Sequence, residues 1–502
     1  MASATPGPGS TAPRSPLADS DNRILGTTFG RLSWAILIAT SVQAYDFLST
    51  AAILPQIGDD LGQVELLPWV LTVFPLFSAV AVLAAGPVID NLGVRAVFRA
   101  SMITVVVASA GSALAPSVIT LVATRSITGL SSGLMMASSL SLIGLAYPAR
   151  LVPKAVAFQS YAWGAMGIVA PALAAVLTRW TSWRVVFLVA VPFGLMVMRL
   201  AWHRIPETGT RQRDESFDVR GLLLIGTATV LTLIAVQRLD RISVPLLLGA
   251  ALLGGWYWVH SGSRANAVVQ RRHVASSPFG ALAATMALGF GAALSLDAYL
   301  PLYVRGGRGA SLSVAAFTVV FLGTGWAVAA YGVGRWMDRF GATRVIVAGA
   351  LLVAASLPLG AVLVFAETPL WTLYLLMTVM GVGVGFLTTA GRSLVQRISE
   401  AAEIGRANSS NQFVRMLGLS TATALAGGVL LFVVNQRHGS VAEVRDLLSE
   451  NHEATSAGLA DAVSAGYGWA FVVGSVLAGL GLVFAIALYR SLEADPIAEP
   501  GG

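Results

Sequence analysis

The sequence contains no cysteine and few charged residues. Of its 502 residues none is cysteine, 11% are charged and five are histidine. The absence of cysteine excludes disulfide bonds, thiolate metal sites and redox chemistry by cysteine. The charged fraction is far below the roughly 25% of soluble domains, whereas 56% of the residues are hydrophobic. This balance predicts a protein that resides in a lipid bilayer.

Residues suited to enzyme chemistry are also scarce. The five histidines are scattered at the ends of apolar runs and in loops, and no cluster of His, Asp or Glu has the spacing of metal ligands. No Walker motif is present, and the Gly-Val-Gly-Val-Gly run at 381–385 lies inside an apolar run. We expect no metal, no cofactor and no enzyme activity. A membrane-embedded enzyme, or a receptor that transports nothing, remains a remote possibility for a chain of this composition.

Long apolar runs dominate what is present. About fourteen of them follow one another, from 31–55 to 467–489, and each is near the ~20 residues that a helix needs to cross a bilayer. The pattern predicts an all-α polytopic membrane protein with about 14 transmembrane helices.

Lys and Arg are distributed unevenly between the connections. Alternate connections, counted from the N-terminal tail, hold 22 of the 32 Lys and Arg, and the other connections hold eight. Because positive residues favour the cytoplasmic side, we predict a multi-pass plasma-membrane protein with both termini in the cytoplasm. The same bias accounts for the net charge of +7, so we expect the lipid bilayer rather than nucleic acid as the partner.

Two short stretches repeat one pattern about half the chain apart. Residues 86–95 read Gly-Pro-Val-Ile-Asp-Asn-Leu-Gly-Val-Arg, and residues 334–344 read Gly-Arg-Trp-Met-Asp-Arg-Phe-Gly-Ala-Thr-Arg, with their Asp residues 248 positions apart. Glycine permits close helix approach and positive φ, and the Asp can accept from exposed backbone donors at a helix start. The repetition predicts two homologous halves.

The repeated turn resembles the cytoplasmic signature loop of the major facilitator superfamily of secondary transporters. Other segments, in chain order, resemble its drug:proton antiporters with fourteen spans. These are Asp46 to Pro55, Leu121 with Arg125, Gly129 and Gly133, Ser182 to Arg184, and Phe217-Asp218 with Gly221. The resemblance implies that the two turns are conformational switches, through Gly86, Asp90, Gly93, Arg95, Gly334, Asp338, Arg339, Gly341 and Arg344.

The resemblance also implies a domain organisation. Two pseudo-symmetric six-helix bundles occupy 31–202 and 278–489, and a linker with two extra transmembrane helices occupies 203–277 between them. A disordered cytoplasmic tail precedes them at 1–30, where the first twenty residues are rich in Pro, Ser, Ala and Gly. A second cytoplasmic tail follows at 490–502. We expect the protein to be monomeric.

Small residues line the fifth apolar run, where the family's antiporter motif has Gly-Pro and a Gly pair. Such residues allow helices to pack closely in a membrane. Ordinary helix packing is the alternative interpretation. The motif therefore does not decide between antiport and another form of coupling. The residues are Gly164, Gly167, Ala170, Pro171 and Ala174.

Two ionisable residues fall well inside apolar runs. Asp46 lies ~22 Å from the face at which its helix enters, and Arg125 lies ~16 Å from that same face. The two side chains could therefore be neighbours. Because charge at membrane depth is expensive, we assign Asp46 as the proton or cation carboxylate and Arg125 as its partner or gate. A permanent structural ion pair is the alternative.

A further set of polar and aromatic residues could line a substrate cavity, since aromatic faces suit flat, cationic or amphipathic molecules. Packing or interfacial anchoring is the alternative for the aromatic residues, and an interfacial ion pair for Asp297. The set is Gln43, Tyr45, Trp69, Phe74, Tyr161, Trp163 and Asp297.

The resemblance implies secondary active transport of a small-molecule substrate. We expect export of hydrophobic or cationic molecules by alternating access, driven by the proton gradient, as in multidrug efflux. Lipid or glycolipid export by the same fold is the alternative.

Overall fold

The protein is all-α. The structure, a computed structural model, describes residues 23–61, 67–148, 150–202, 205, 218–238, 241–264, 267–310, 312–400, 403–438 and 457–494, and these residues contain helices and no β-strand. The first half holds α1 (Gly30–Leu61), α2 (Leu67–Leu92), α3 (Val94–Ala113), α4 (Val118–Ala146), α5 (Val152–Trp180), α6 (Trp183–Leu188) and α7 (Ala190–Ala201). Next come α8 (Val219–Arg238), α9 (Ser243–Gly262) and the short α10 (Arg272–Ala275). The second half holds α11 (Phe279–Leu302), α12 (Leu312–Phe317), α13 (Val319–Phe340), α14 (Ala342–Phe365), α15 (Leu370–Ile398), α16 (Ile404–His438) and α17 (Ala457–Ala494).

Many of these helices are long and apolar enough to cross a membrane. Within the described parts of the chain, nine helical spans combine at least 18 residues with high mean hydropathy, and one of them joins α6 and α7. There are ten if α5, which bends by 45° between Gly167 and Ala172, counts as one span. Val219–Thr232 of α8 is a shorter apolar helix. The multi-pass all-α prediction is confirmed, and the count of 14 spans stays a prediction.

The two repeated turns adopt the same backbone conformation. Gly93 has φ 81° and ψ 146°, and Gly341 has φ 84° and ψ 154°. Each is the only residue between two long helices, α2 and α3 or α13 and α14. Positive φ is strained for residues with a Cβ atom, so glycine fits both positions. We call the end of the molecule that carries Gly93 and Gly341 the turn face, and the other end the opposite face.

Separate hydrophobic cores form in the two halves. Two clusters of buried side chains together run from Phe29 to Ile205, and a third runs from Leu282 to Leu488 with one contribution from α5. The exact limits of the predicted bundles stay a prediction. Most of the predicted N-terminal tail, residues 1–22, lies outside the described residues. At the other end, α17 continues to Ala494, past residue 489, where the last span was expected to end.

The pair α8 and α9 packs beside the junction of the two halves. Leu224 and Tyr257 share a small hydrophobic cluster with Leu83 of α2 and Phe413 of α16. At the turn-face end of the pair, Asp218 accepts from the Gly221 backbone N–H at 2.9 Å, and the same Oδ1 lies 2.9 Å from His260 Nε2. The inserted pair therefore covers the contact between α2 and α16.

The segment around α10 ties this insertion to the second half. Arg272 forms an ion pair with Glu403, just before α16, and the His273 ring packs edge-on against Phe279 at 5.2 Å. His273 Nε2 also lies 3.6 Å from Glu403 Oε2. Burial, and then the positive charges of Arg272 and Arg406, nevertheless lower the pKa of His273 to about 4. The imidazole is therefore neutral at physiological pH.

Candidate functional site

A buried ion pair lies between α1 and α4. Arg125 Nη1 donates to Asp46 Oδ2, and the side chains are 1% and 3% exposed. The guanidinium carbon of Arg125 lies 4.7 Å from the ring centre of Phe74 and 5.6 Å from that of Phe187. Counting 1.5 Å per residue, Asp46 lies ~24 Å from the turn face and Arg125 ~10 Å from the opposite face. The structure thus brings together the two residues that the sequence placed at similar depth.

The environment of this pair makes it sensitive to movement. Burying one unpaired charge costs several kcal/mol, and removing one partner of a buried pair typically costs about 3–5 kcal/mol. A motion that separates α1 from α4 would leave the Asp46 carboxylate in need of a proton or a cation. The pair can therefore couple helix movement to ion binding.

An aromatic patch lies one residue along α1 from this pair. The Phe47 ring centre is 5.7 Å from that of Phe74 on α2 and 6.4 Å from that of Trp163 on α5. We call Phe47, Phe74 and Trp163 the aromatic patch. The patch thus joins α1 to α2 and α5, and both of these helices also contact helices of the second half. Phe47 is 37% exposed, and the sequence had not singled it out.

The other predicted cavity residues of the first half lie in three different environments. Gln43 is buried, and its Nε2 donates to the Ser132 carbonyl of α4. Tyr45 is 4% exposed and packs in the core of the first half. Trp69 and Tyr161 are 44% and 48% exposed. Periodicity could not distinguish these environments, because packed and open helix faces both favour aromatic residues.

Asp297 of α11 is buried, and no described residue forms an ion pair with it. Its side chain is 9% exposed, and Oδ1 has no hydrogen-bond partner among the described residues. The expected ion pair with a nearby arginine does not form with Arg308, which instead donates to the Tyr303 hydroxyl at 3.1 Å and the Thr368 carbonyl at 3.0 Å. Asp297 is thus a second buried carboxyl group within an apolar helix, after Asp46.

The first glycine of each repeated turn contacts the other half of the molecule. A Cβ atom on Gly86 would lie 2.9 Å from the Arg406 Cα at the start of α16. A Cβ atom on Gly334 would lie 3.3 Å from Lys154 Cγ at the start of α5. Gly86 and Gly334 are 248 positions apart, which is the same offset that separates the two repeated stretches. Each turn therefore touches the first turn of a helix in the opposite half.

The remaining switch residues are more exposed. Arg95 Nε donates to the Ile205 carbonyl at 2.7 Å. Asp338 and Arg339 are exposed, and Arg344 Nη2 lies 3.8 Å from Glu493 Oε1. The side chain of Asp90 lies outside the described residues.

The small residues of α5 face two directions. A Cβ atom on Gly164 would lie 2.8 Å from the Ala327 Cβ of α13, whereas a Cβ atom on Gly167 would have nothing within 4 Å. Ala170 and Ala174 are fully buried in the core of the first half. The side chain of Pro171 lies outside the described residues. Gly164 thus permits close contact between the halves.

The two halves are sealed together at the turn face. Every residue from 383 to 396 of α15 and from 404 to 413 of α16 is buried, so all sides of these segments are covered. Across the junction, Gln396 Nε2 donates to the Leu140 carbonyl of α4 at 2.9 Å. Passage through the centre of the molecule is therefore blocked at this end.

No metal centre is found in the part of the chain that the structure describes, since it contains no group of three His, Cys, Asp or Glu side chains that could hold an ion. The charged groups described so far within the apolar helices are instead Asp46 with its partner Arg125, and Asp297.

Comparisons with known proteins agree on one family. The family model described as Major Facilitator Superfamily matches residues 36–431. An uncharacterized MFS-type transporter of Mycobacterium tuberculosis is 27% identical, over 82% of this chain and 60% of the relative, so the chain spans less than two thirds of that protein. A probable multidrug-efflux transporter of the same organism is also 27% identical, over 85% of this chain and 91% of the relative. Among solved structures, a bacterial homologue of the iron transporter ferroportin has a TM-score of 0.62 at 13% identity, covering 92% of this chain and 98% of that one.

Proposed function

The chain belongs to the major facilitator superfamily, a family of multi-pass membrane transporters, and on that premise we propose that it exports hydrophobic or cationic small molecules in exchange for protons. The observation that carries the proposal is the buried Asp46–Arg125 pair beside the aromatic patch. An aromatic surface attracts flat cations, and the carboxylate supplies the charge that such a cation or a proton would neutralise. The names of two relatives, a probable multidrug-efflux transporter of Mycobacterium tuberculosis and a multidrug transporter protein of Bacillus subtilis, support the same function.

The proposed direction of transport follows from the charge bias of the connections. If the basic connections face the cytoplasm, the turn face is cytoplasmic and the plasma membrane is the site of action. The seal formed by α15 and α16 then separates the central space from the cytoplasm. Alternating access would break this seal to load substrate and re-form it to release substrate on the opposite face.

Asp46 is the proposed coupling group. While Arg125 holds the carboxylate, the charge is balanced and no proton is needed. When Arg125 moves away, the Asp46 carboxylate can be neutralised either by a cationic substrate on the aromatic patch or by a proton. It cannot be neutralised by both at once. Such competition for one carboxylate is sufficient to couple the two fluxes in opposite directions.

Lipid or glycolipid export is the alternative function. A lipid needs a lateral opening between the halves. In this structure α5 approaches α13 closely at Gly164 and Ala327, and Leu83 of α2 shares a hydrophobic cluster with Phe413 of α16. These contacts between the halves favour an enclosed path for a small molecule.

Reconstituted liposomes with an internal pH dye test the proposal. Rhodamine 123, a flat aromatic cation, is added to the wild type, to Asp46→Asn and to the control Asp461→Asn, whose carboxylate is exposed near the start of α17. We expect substrate-dependent proton movement in the wild type and in the control, and none in Asp46→Asn. Proton movement that survives in Asp46→Asn would remove this carboxylate from the mechanism. Transport of a fluorescent phospholipid without proton movement would favour the lipid alternative.

A further inference from the structure

Two arginines of the second half are buried close together. Arg392 on α15 is 6% exposed and Arg415 on α16 is 2% exposed. Arg392 lies ~9 Å from the turn-face end of α15, and Arg415 lies ~16 Å from the turn-face end of α16. The positive charge of Arg392 acts on Arg415. Two cations therefore share one region in the turn-face half of the molecule.

The described residues supply no counterion for these two cations. Arg415 Nη2 donates to Gln412 Oε1 at 2.6 Å, and its guanidinium carbon lies 4.6 Å from the ring centre of Phe290. Its Nε has no acceptor there, and neither has the Nε of Arg392. No described carboxylate pairs with either side chain, in contrast to Arg125, which holds Asp46. Burial of two unbalanced charges is expensive, so an anion that joins them would be bound strongly.

The two arginines lie beside the junction between the halves. Gln412, which accepts from Arg415, lies with its Nε2 3.6 Å from Met136 Sδ of α4. One turn of α16 nearer the turn face, Asn408 accepts from Gln396 at 3.0 Å but leaves its own Nδ2 without a partner. If the halves separate at the turn face, this surface opens, and the arginines then meet water and any solute in it.

We propose that Arg392 and Arg415 bind the anionic group of an amphipathic substrate, a carboxylate, sulfonate or phosphate, when the junction opens at the turn face. Guanidinium groups bind such oxyanions through paired N–H donors, and the Phe290 ring offers an adjacent apolar surface. The inference rests on the proposed alternating access, because the site is sealed in the present conformation. If the site binds substrate, the hydrophobic molecules that the protein exports include ones that carry an acidic group.

Binding of two dyes of the same three-ring shape tests this site separately from transport. Fluorescein is anionic and rhodamine 123 is cationic, and fluorescence polarisation measures each with purified protein in detergent. The variants are Arg392→Gln and Arg415→Gln, and the control is Arg397→Gln, which removes an exposed arginine from the same helix as Arg392. A charged hydrogen bond contributes about 1.5–3 kcal/mol, so we expect fluorescein affinity to fall roughly 10- to 150-fold in the two variants. The control and all rhodamine affinities should be unchanged.

The unfolding temperatures of the variants distinguish a loss of dye binding from a loss of the folded structure. If the two charges are unbalanced, neutral glutamine at either position should raise the unfolding temperature in the absence of dye. A lowered unfolding temperature in both variants, with equal fluorescein affinity in Arg392→Lys and Arg392→Gln, would assign the arginines to structure and overturn the proposal. Unchanged fluorescein affinity in stable variants would overturn it as well.

The source of the anion is resolved by a second probe. Dioctanoyl phosphatidate, a short lipid with an anionic headgroup, is used to compete with fluorescein. Competition that depends on Arg392 and Arg415 would identify lipid headgroups as ligands of the same site, and its absence would leave soluble organic acids. Fluorescein binding that depends on the arginines, in a protein without substrate-dependent proton movement, would support this inference while contradicting the proposed function. Substrate-dependent proton movement, in a protein whose fluorescein binding does not depend on the arginines, would support the proposed function and contradict this inference.

Discussion

The close approach of Gly86 to α16 makes Gly86→Ala a selective perturbation of the turn-face seal. The new methyl group would lie 2.9 Å from Arg406 Cα, 3.2 Å from Arg406 N and 3.3 Å from the Gly405 carbonyl oxygen. All three are backbone atoms, so no side-chain rotation can relieve the overlap. The helices must move apart, and the variant should favour a conformation that is open at the turn face.

The size of the effect follows from the cost of overpacking. Inserting a methylene into a packed region costs about 1–3 kcal/mol. At about 1.4 kcal/mol for each factor of ten, the ratio of open to sealed molecules should rise roughly 5- to 150-fold. Alanine also favours the helix by about 0.5–1 kcal/mol relative to glycine. That gain applies to both conformations and cancels from the ratio.

The lack of native cysteine provides a direct assay. Ser410 is fully buried in the sealed junction, so Ser410→Cys reacts with a maleimide only when the junction opens. The labelling rate of purified protein then measures the open fraction while that fraction is small. The control is Gly332→Ala, because a Cβ atom at Gly332 would have nothing within 4 Å. Equal rates in Gly86→Ala and its parent, or an equal acceleration in the control, would refute the reasoning.

Three further variants test features outside this contact. Arg125→Gln should destabilise the protein by about 3–5 kcal/mol because it leaves Asp46 buried without its partner; thermal unfolding should show the loss, and adding Asp46→Asn should recover most of it. His273→Gln should remove a pH dependence of stability. Because the pKa of His273 is lowered to about 4 in the folded protein, its neutral form contributes up to about 3 kcal/mol to the free energy of unfolding above pH 6.5. This contribution is lost as the pH falls toward 4. Identical unfolding profiles of wild type and His273→Gln at pH 5 and pH 7.5 would contradict this. Gly341→Ala should cost about 1–2 kcal/mol through its positive φ alone, since the added Cβ atom meets nothing within 4 Å; unchanged stability would argue against backbone strain at this turn.

The duplication was the strongest sequence signal because it concerns local backbone geometry. A glycine that is the sole link between two helices has few conformations available, so the repeat at 93 and 341 predicted equivalent turns, and the structure has them. The proximity of Asp46 and Arg125 followed from helix rise alone. Both inferences used distances along a helix, which the chain itself determines.

Features that depend on how helices face one another were not predictable in this way. Tyr45 and Phe47 are two positions apart on α1, yet one is buried in the core and the other is 37% exposed. Arg392 was not predicted as a site residue because it follows directly after the apolar run at 369–391. The helix α15 nevertheless continues to Ile398, and its residues from Arg392 to Gln396 are buried. Hydropathy measures transfer to lipid, so it does not detect polar residues buried between helices.

The contacts of Gly86 and Gly334 imply different patterns of sequence variation among homologues. Gly86 meets the backbone of residue 406, and every amino acid has that backbone, so position 86 should stay glycine whatever residue 406 becomes. Gly334 meets a side-chain atom of Lys154, so a shorter residue at 154 would make room for a larger one at 334. We expect positions 154 and 334 to vary together, and position 86 not to vary at all.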